Sequence, residues 1–113
     1  IYWSTIVEKL FISIHPHQAK SKELLRACHM ISDQTHEVPG CMDSRVRAGI
    51  GEEKTIHLKQ YWSERHLLDD YFRSDHFSAL LGAMNLLGKN YEVTLNDGAL
   101  KEGVNAIEHA RAT

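Results

Sequence analysis

The chain has 113 residues, a length that suits one domain with a single core and leaves surface for a second subunit to bury. Charged residues make up 25% of it and the formal net charge is -2, so no global basic field attracts nucleic acid or an acidic membrane. No apolar run is long enough to span a bilayer and no leader-like segment opens the sequence, so a cytoplasmic location is the expectation.

In chain order, Ile6, Leu10, Ile12 and Ile14 alternate with Val7, Lys9, Phe11, Ser13 and His15, which predicts a first strand over about 4–15, ended by Pro16. Leu24, Leu25, Cys28, Ile31 and Thr35 then recur at helical spacing, with Lys20, Lys22, Glu23 and Arg26 largely off that stripe. Pro39-Gly40 supplies turn chemistry, since proline sets one backbone angle and glycine tolerates a positive φ. In the run 41–50, Met42, Ser44, Val46, Ala48 and Ile50 form the less polar face, opposite Cys41, Asp43, Arg45 and Arg47. Gly51-Glu52-Glu53 connects this strand to a third over 54–62, where Ile56, Leu58, Gln60 and Trp62 alternate with Thr55, His57, Lys59 and Tyr61.

Ser63 is a candidate helix N-cap, followed by Leu67, Leu68, Tyr71 and Phe72 at helical spacing. Ser74 is a second candidate cap, and Phe77, Leu80, Leu81, Met84 and Leu87 continue an apolar stripe to a stop at Gly88. Tyr91, Val93 and Leu95 alternate as a fourth strand closed by Asn96-Asp97-Gly98, and a final helix carries Leu100, Val104 and Ile107 on its apolar stripe. The order β-α-β-β-α-β with an additional C-terminal helix predicts an α+β, ferredoxin-like fold, an antiparallel four-stranded sheet with helices on one face. Val7, Phe11, Tyr61 and the stems of Arg45, Arg47 and Lys59 would lie on the other face, which suits a homodimer formed sheet to sheet with a polar rim.

Three stretches also carry a family resemblance. Glu37-Val38-Pro39-Gly40-Cys41, the strand end Tyr61-Trp62-Ser63, and Arg73-Ser74-Asp75-His76-Phe77 together resemble the antibiotic biosynthesis monooxygenase (ABM) family in their order and spacing. The likeness covers about residues 5–97 of one ABM-like domain spanning 1–113, with the helical extension at about 98–111 outside it. It implies a dimeric α+β barrel whose subunits each hold a pocket between sheet and helices. Several members of that family oxidise polycyclic phenols or quinols with molecular oxygen and neither metal nor flavin, because the electron-rich substrate anion itself reduces oxygen. The expectation is therefore a cofactor-independent monooxygenase acting on a small aromatic or quinol-like substrate. The alternative is a non-enzymatic dimeric domain that binds or senses a small apolar or aromatic ligand.

The resemblance puts Trp62 on the pocket wall, stacking on a planar substrate with its indole N–H free to donate; the competing reading is that it fills the sheet–helix core. Phe72, Phe77 and Met84 read as core or pocket lining, and Tyr71 adds a hydroxyl that either orients a phenol or points at water. His76 is the candidate proton acceptor, with capping or packing as its other reading, and Gln60, which shares a strand face with Trp62 and so points toward the pocket, is the alternative catalytic candidate to handle or orient the substrate proton. Oxygenases of the family can carry an Asn four positions before the Trp and Tyr and Arg on the following helices; Leu58, Leu68 and Gly82 stand at those places here. Haem-degrading relatives place a Trp and a haem-ligating His where this chain has Tyr71 and Leu81, so haem chemistry is not expected.

Neither a cofactor nor a metal is expected. His29 and His36 are two helical turns apart, about 10 Å of rise, too far to share one ion, and His15-Pro16-His17 is not a strong ligand pattern. Cys28 and Cys41 lack CxxC spacing and are expected to be reduced and structural. Arg45, Arg47 and Lys59 read as a solvated or ion-paired sheet face.

Overall fold

The computed structural model describes residues 7–49, 54–96, 98 and 100–113. Residues 4–6 of the expected first strand, the connection Gly51-Glu52-Glu53 with Ile50 before it, Asp97 of the expected turn and the side chain of Leu100 lie outside that description. The elements are β1 (Glu8–Pro16), α1 (Ser21–Thr35), β2 (Cys41–Ala48), β3 (Ile56–Trp62), α2 (Arg65–Phe72), α3 (Asp75–Leu87), β4 (Gly88–Leu95) and α4 (Leu100–Ala112).

The strands form one antiparallel sheet in the order β2-β3-β1-β4, the ferredoxin-like arrangement. Period-two alternation decides which side chains face the helices. Leu10, Ile12 and Ile14 of β1 stand opposite Gln60, Leu58 and Ile56 of β3, and Leu10 and Ile12 opposite Leu95 and Val93 of β4. All of these but Tyr91, the partner of Ile14, are buried; Tyr91 is half-buried. Against this face pack Leu24, Cys28 and Ile31 of α1 and Phe77, Leu80 and Met84 of α3, every one buried. The helices touch one another as well as the sheet, closing the layer.

One strand departs from simple alternation. The β2–β3 register shifts between Cys41 and Asp43: Cys41 pairs with Trp62 and Asp43 with Tyr61, leaving Met42 as the extra residue of a bulge. Cys41, expected on the polar face, therefore turns inward with Trp62 and packs against the core, whereas Met42, expected on the less polar face, is 47% exposed. From Ser44 onward the expected alternation returns, with Ser44 buried and Arg45 exposed.

The Pro39-Gly40 turn behaves as its residue types require. Gly40 has φ +93°, and a Cβ there would come 2.6 Å from Leu67 Cβ, so both backbone angle and space demand glycine. The Gly40 carbonyl accepts the N–H of Ser63 at 2.8 Å, which engages Ser63 in this turn; the N-cap of α2 is Glu64, without a side-chain bond, and not Ser63. Ser74 does cap α3, accepting the Phe77 N–H at 3.2 Å.

Helix α4 lies on β4 and α2. Its buried face runs through Gly103, Ile107 and Ala110, and a Cβ at 103 would meet the Val93 carbonyl at 2.5 Å, so close approach at this glycine sets which side turns inward. Val104, expected on the buried stripe, is consequently exposed at 37%. Two arginines clasp the helix: Arg111 donates to the Phe72 carbonyl at 2.6 Å, and Arg73 to the Ala110 carbonyl at 3.3 Å. No helix among the described residues is long and apolar enough to cross a membrane.

Candidate functional site

The three stretches that carry the family resemblance meet at one end of the sheet. Cys41 pairs with Trp62, Gly40 bonds Ser63, and His76 shares a surface depression with Val38 and Pro39. β3 ends with Gln60 and Trp62 on its inner face, and α2 and α3 bring Tyr71, Phe72 and Phe77 over them.

Trp62 and Tyr71 stack with centroids 4.6 Å apart and planes at 31°, while Phe77 meets Tyr71 edge-on at 5.2 Å and Phe72 at 5.1 Å. Trp62, Tyr71, Phe72, Phe77 and Met84 are all buried, so they pack as a continuous aromatic layer with methionine at its side.

A polar chain runs through this layer. The Trp62 indole N–H donates to Gln60 Oε1 at 3.1 Å, and Gln60 Nε2 donates to the Tyr71 hydroxyl at 3.2 Å and to Ser44 Oγ at 3.4 Å. Ser44 Oγ in turn shares a 2.6 Å bond with Ser32 Oγ of α1. Because an indole nitrogen only donates, the amide oxygen must face Trp62 and the NH2 must face Tyr71 and Ser44. No buried side-chain polar atom among the described residues lacks a partner. Burial pushes the Tyr71 phenol above its ordinary pKa, with the hydrogen bonds from Gln60 and Thr35 opposing that shift, so Tyr71 is a neutral phenol in neutral solution. Burial also pushes the Cys28 thiol up to about 11, and raises that of Cys41, which makes both poor nucleophiles.

Gln60, Trp62, Tyr71, Phe72, Phe77 and Met84 are thus brought together. His76 lies elsewhere: it is exposed in the first turn of α3 and lines, with Gln34, Glu37, Val38 and Pro39, a depression of about 460 Å³. Val38 packs against the core on its other side, so this depression is the outer wall of the same region. Ser44 and Ser32 are members of the polar chain that sequence reasoning did not single out. The signal for Ser44 was present, since it alternates onto the inner face of β2; Ser32 reaches it only through helix packing.

Two further concavities flank the fold. One, about 690 Å³, lies on the open face of the sheet and is lined by Phe11, Tyr61, Asp43, Arg45, Arg47 and Lys59 among others. The other, about 440 Å³, lies between α3, β4 and α4 and is lined by Leu81, Tyr91, Val104 and Arg111. Among the described residues no three His, Cys, Asp or Glu side chains converge as a metal set would.

No family model matches the chain, and no curated protein does. Its fold is nevertheless shared with many solved structures. An antibiotic biosynthesis monooxygenase is similar at TM-score 0.71 and 17% identity, over 81% of this chain and 98% of that one. A conserved protein from Methanosarcina mazei Go1 is similar at TM-score 0.76 and 19% identity, over 87% of this chain and 98% of that one. A protein from Bacteroides thetaiotaomicron VPI-5482, described as a possible oxidoreductase, gives TM-score 0.74 at 11% identity, over 80% of this chain and 95% of that one. The chain has the ABM-like, ferredoxin-like α+β fold.

Proposed function

We propose that this chain is an ABM-type domain that acts as a cytoplasmic homodimer and oxidises a small aromatic or quinol-like compound with molecular oxygen and no bound cofactor. The observation that carries this reading is the Trp62–Gln60–Tyr71 group: a stacking indole, an amide and a neutral phenol joined by hydrogen bonds inside an aromatic layer. A planar phenolic substrate admitted to that layer stacks on Trp62 and exchanges hydrogen bonds with Gln60 and Tyr71, which set its orientation. The substrate supplies the electrons; one oxygen atom enters it as a carbonyl and the other leaves as water. Phe72, Phe77 and Met84, all buried, shift to admit it and then exclude solvent. His76 takes the substrate proton from the Val38–Pro39 side. The fold shared with an antibiotic biosynthesis monooxygenase supports the reaction class.

A second reading is a non-enzymatic ligand-binding or sensory domain using the same layer. It is favoured by the exposure of His76 and by the fully satisfied hydrogen bonds of Gln60 and Trp62, which leave no group waiting for a substrate.

Oxygen uptake with a panel of hydroquinones and anthrones, compared with anaerobic binding, separates the two. The oxygenase reading expects protein-dependent uptake that falls in Trp62→Phe and in His76→Ala. Saturable binding without uptake across the panel supports the second reading, and unchanged turnover in His76→Ala removes that residue as the base.

A further inference from the structure

The join between α2 and α3 covers the aromatic layer. Tyr71 and Phe72 end α2, Arg73 and Ser74 make the connection, and Phe77 lies in the first turn of α3, so whatever moves this join moves three of the rings. Arg111, in the last turn of α4, spans it: Nη1 donates to the Phe72 carbonyl at 2.6 Å and Nη2 to Ser78 Oγ at 3.0 Å. One planar guanidinium thus ties the end of α2 to the start of α3. The tie is returned, because Arg73 Nη1 donates to the Ala110 carbonyl of α4 at 3.3 Å while its Nη2 holds the Asp70 carboxylate.

The Phe72 and Ala110 carbonyls are among those a helix leaves unpaired at its C-terminus, so each arginine satisfies a group that would otherwise turn to water. Both arginines are exposed, and water competes for the same bonds. The rings beneath are buried, and α2, eight residues long, has no side-chain cap at Glu64. A short helix with a bare N-terminus and a C-terminus fastened by exposed bonds is a segment that opens locally while the sheet stays intact.

We propose that α4 is a latch on the aromatic layer: with Arg111 seated, α2 and α3 stay closed over Trp62, and its release lets the join lift and admits a planar ligand. The inference rests on the reading that a small aromatic compound enters this layer, and adds what controls the entry.

The latch can be read without substrate or oxygen, by amide hydrogen exchange and by acrylamide quenching of Trp62 in a Trp3→Phe background, where it is the one indole. Arg111→Met keeps a long side chain and removes the donors. Exchange at Tyr71 and Phe72 should speed up about ten-fold, the loss of one hydrogen bond's worth of closure, while Ile12 in the central strand β1 is unchanged. Quenching of Trp62 should rise with it, and Arg111→Lys, able to restore one of the two bonds, should fall between. Should Arg111→Met fail to fold, Arg73→Met, which removes the returning tie alone, should give the same local change. Unchanged exchange at Tyr71 and Phe72 overturns the latch, as does equal acceleration at Ile12, which would mean that the whole fold had loosened. 1-Naphthol, a planar phenol, should bind Arg111→Met faster than the unaltered chain. Faster exchange in α2 with no naphthol binding by either form keeps the latch and overturns the reading on which it rests.

Discussion

The two faces of the sheet are made from alternate residues of the same strands, yet they treat polar groups in opposite ways. On the inner face Gln60 is buried and its amide is fully engaged by Trp62, Tyr71 and Ser44. On the outer face, on either side of Leu58, Lys59 stands against Arg45, like against like, and His57 stands against Arg47. Burial forces the first arrangement, since an unpartnered amide in a dry layer costs far more than one in water. Solvent permits the second, because exposed charges are screened. A polar group inside this protein is therefore accounted for by its own neighbours, while the charges outside are accommodated by solvent.

The sharpest way to break that contrast is to remove the centre of the inner layer. Trp62→Ala should lower the unfolding free energy by about 3–5 kcal/mol in denaturant titration, as expected for deleting a buried aromatic, because stacking on Tyr71 and a hydrogen bond go with it. A loss below 1 kcal/mol would mean the layer is loose enough to be an open pocket.

Next in size is Gln60→Leu, which strands the Trp62 N–H and takes from the Tyr71 hydroxyl the hydrogen bond of Gln60, leaving that of Thr35, and should cost about 1–3 kcal/mol. Adding Tyr71→Phe should cost less than it does alone, since the hydroxyl it removes has already lost its bond to Gln60. Strict additivity of the two changes would show that the bond between them carries no energy.

A smaller effect is confined to alkaline solution. The Cys28 thiol is pushed up to about 11 from 9.0 by burial, so its contribution to stability is fully present below pH 9.0 and lost as pH rises through about 11. Tyr71, also raised by burial, acts in the same direction above pH 10.0. Cys28→Ala should flatten the fall in melting temperature over the lower part of this range; an unchanged slope would assign the fall to other groups.

The smallest change is expected outside. Arg47→Glu, diagonal to Lys59 across the β2–β3 ladder, should stabilise the fold by about 0.2–1 kcal/mol at low salt, an advantage that fades as salt is added. Destabilisation instead would show that Arg47 is held by a partner within the chain.

Much of the fold was legible in particular residues. The alternation of Leu10, Ile12 and Ile14, and of Ile56, Leu58, Gln60 and Trp62, predicted both the strands and their buried faces. Gly40 was legible as a turn residue, and Ser74 as a cap. Met42 and Cys41 were not, because a bulge inserts one residue and reverses inside and outside without leaving a mark in the hydrophobic pattern. Val104 was misplaced for a related reason: helical spacing admits more than one apolar stripe, and the close contact of Gly103 with β4 selects among them. In the candidate site, Trp62, Tyr71, Phe72, Phe77, Met84 and Gln60 come together, while Ser32 joins the polar chain and His76 stands outside it. Periodicity names the face a residue occupies; it does not say which residue of another element lies across from it.

The sequence by itself determined the order of elements, the inward set of each regular strand and the aromatic character of the layer between sheet and helices. Those follow from backbone geometry and from the free energy of apolar burial, both local in origin. Only the tertiary structure decided that Trp62, Gln60, Tyr71, Ser44 and Ser32 share one hydrogen-bonded chain and that Arg45 and Arg47 face Lys59 and His57. Those depend on strand register and helix docking, which bring together groups 10 to 16 residues apart in the chain and are set by packing over the whole core.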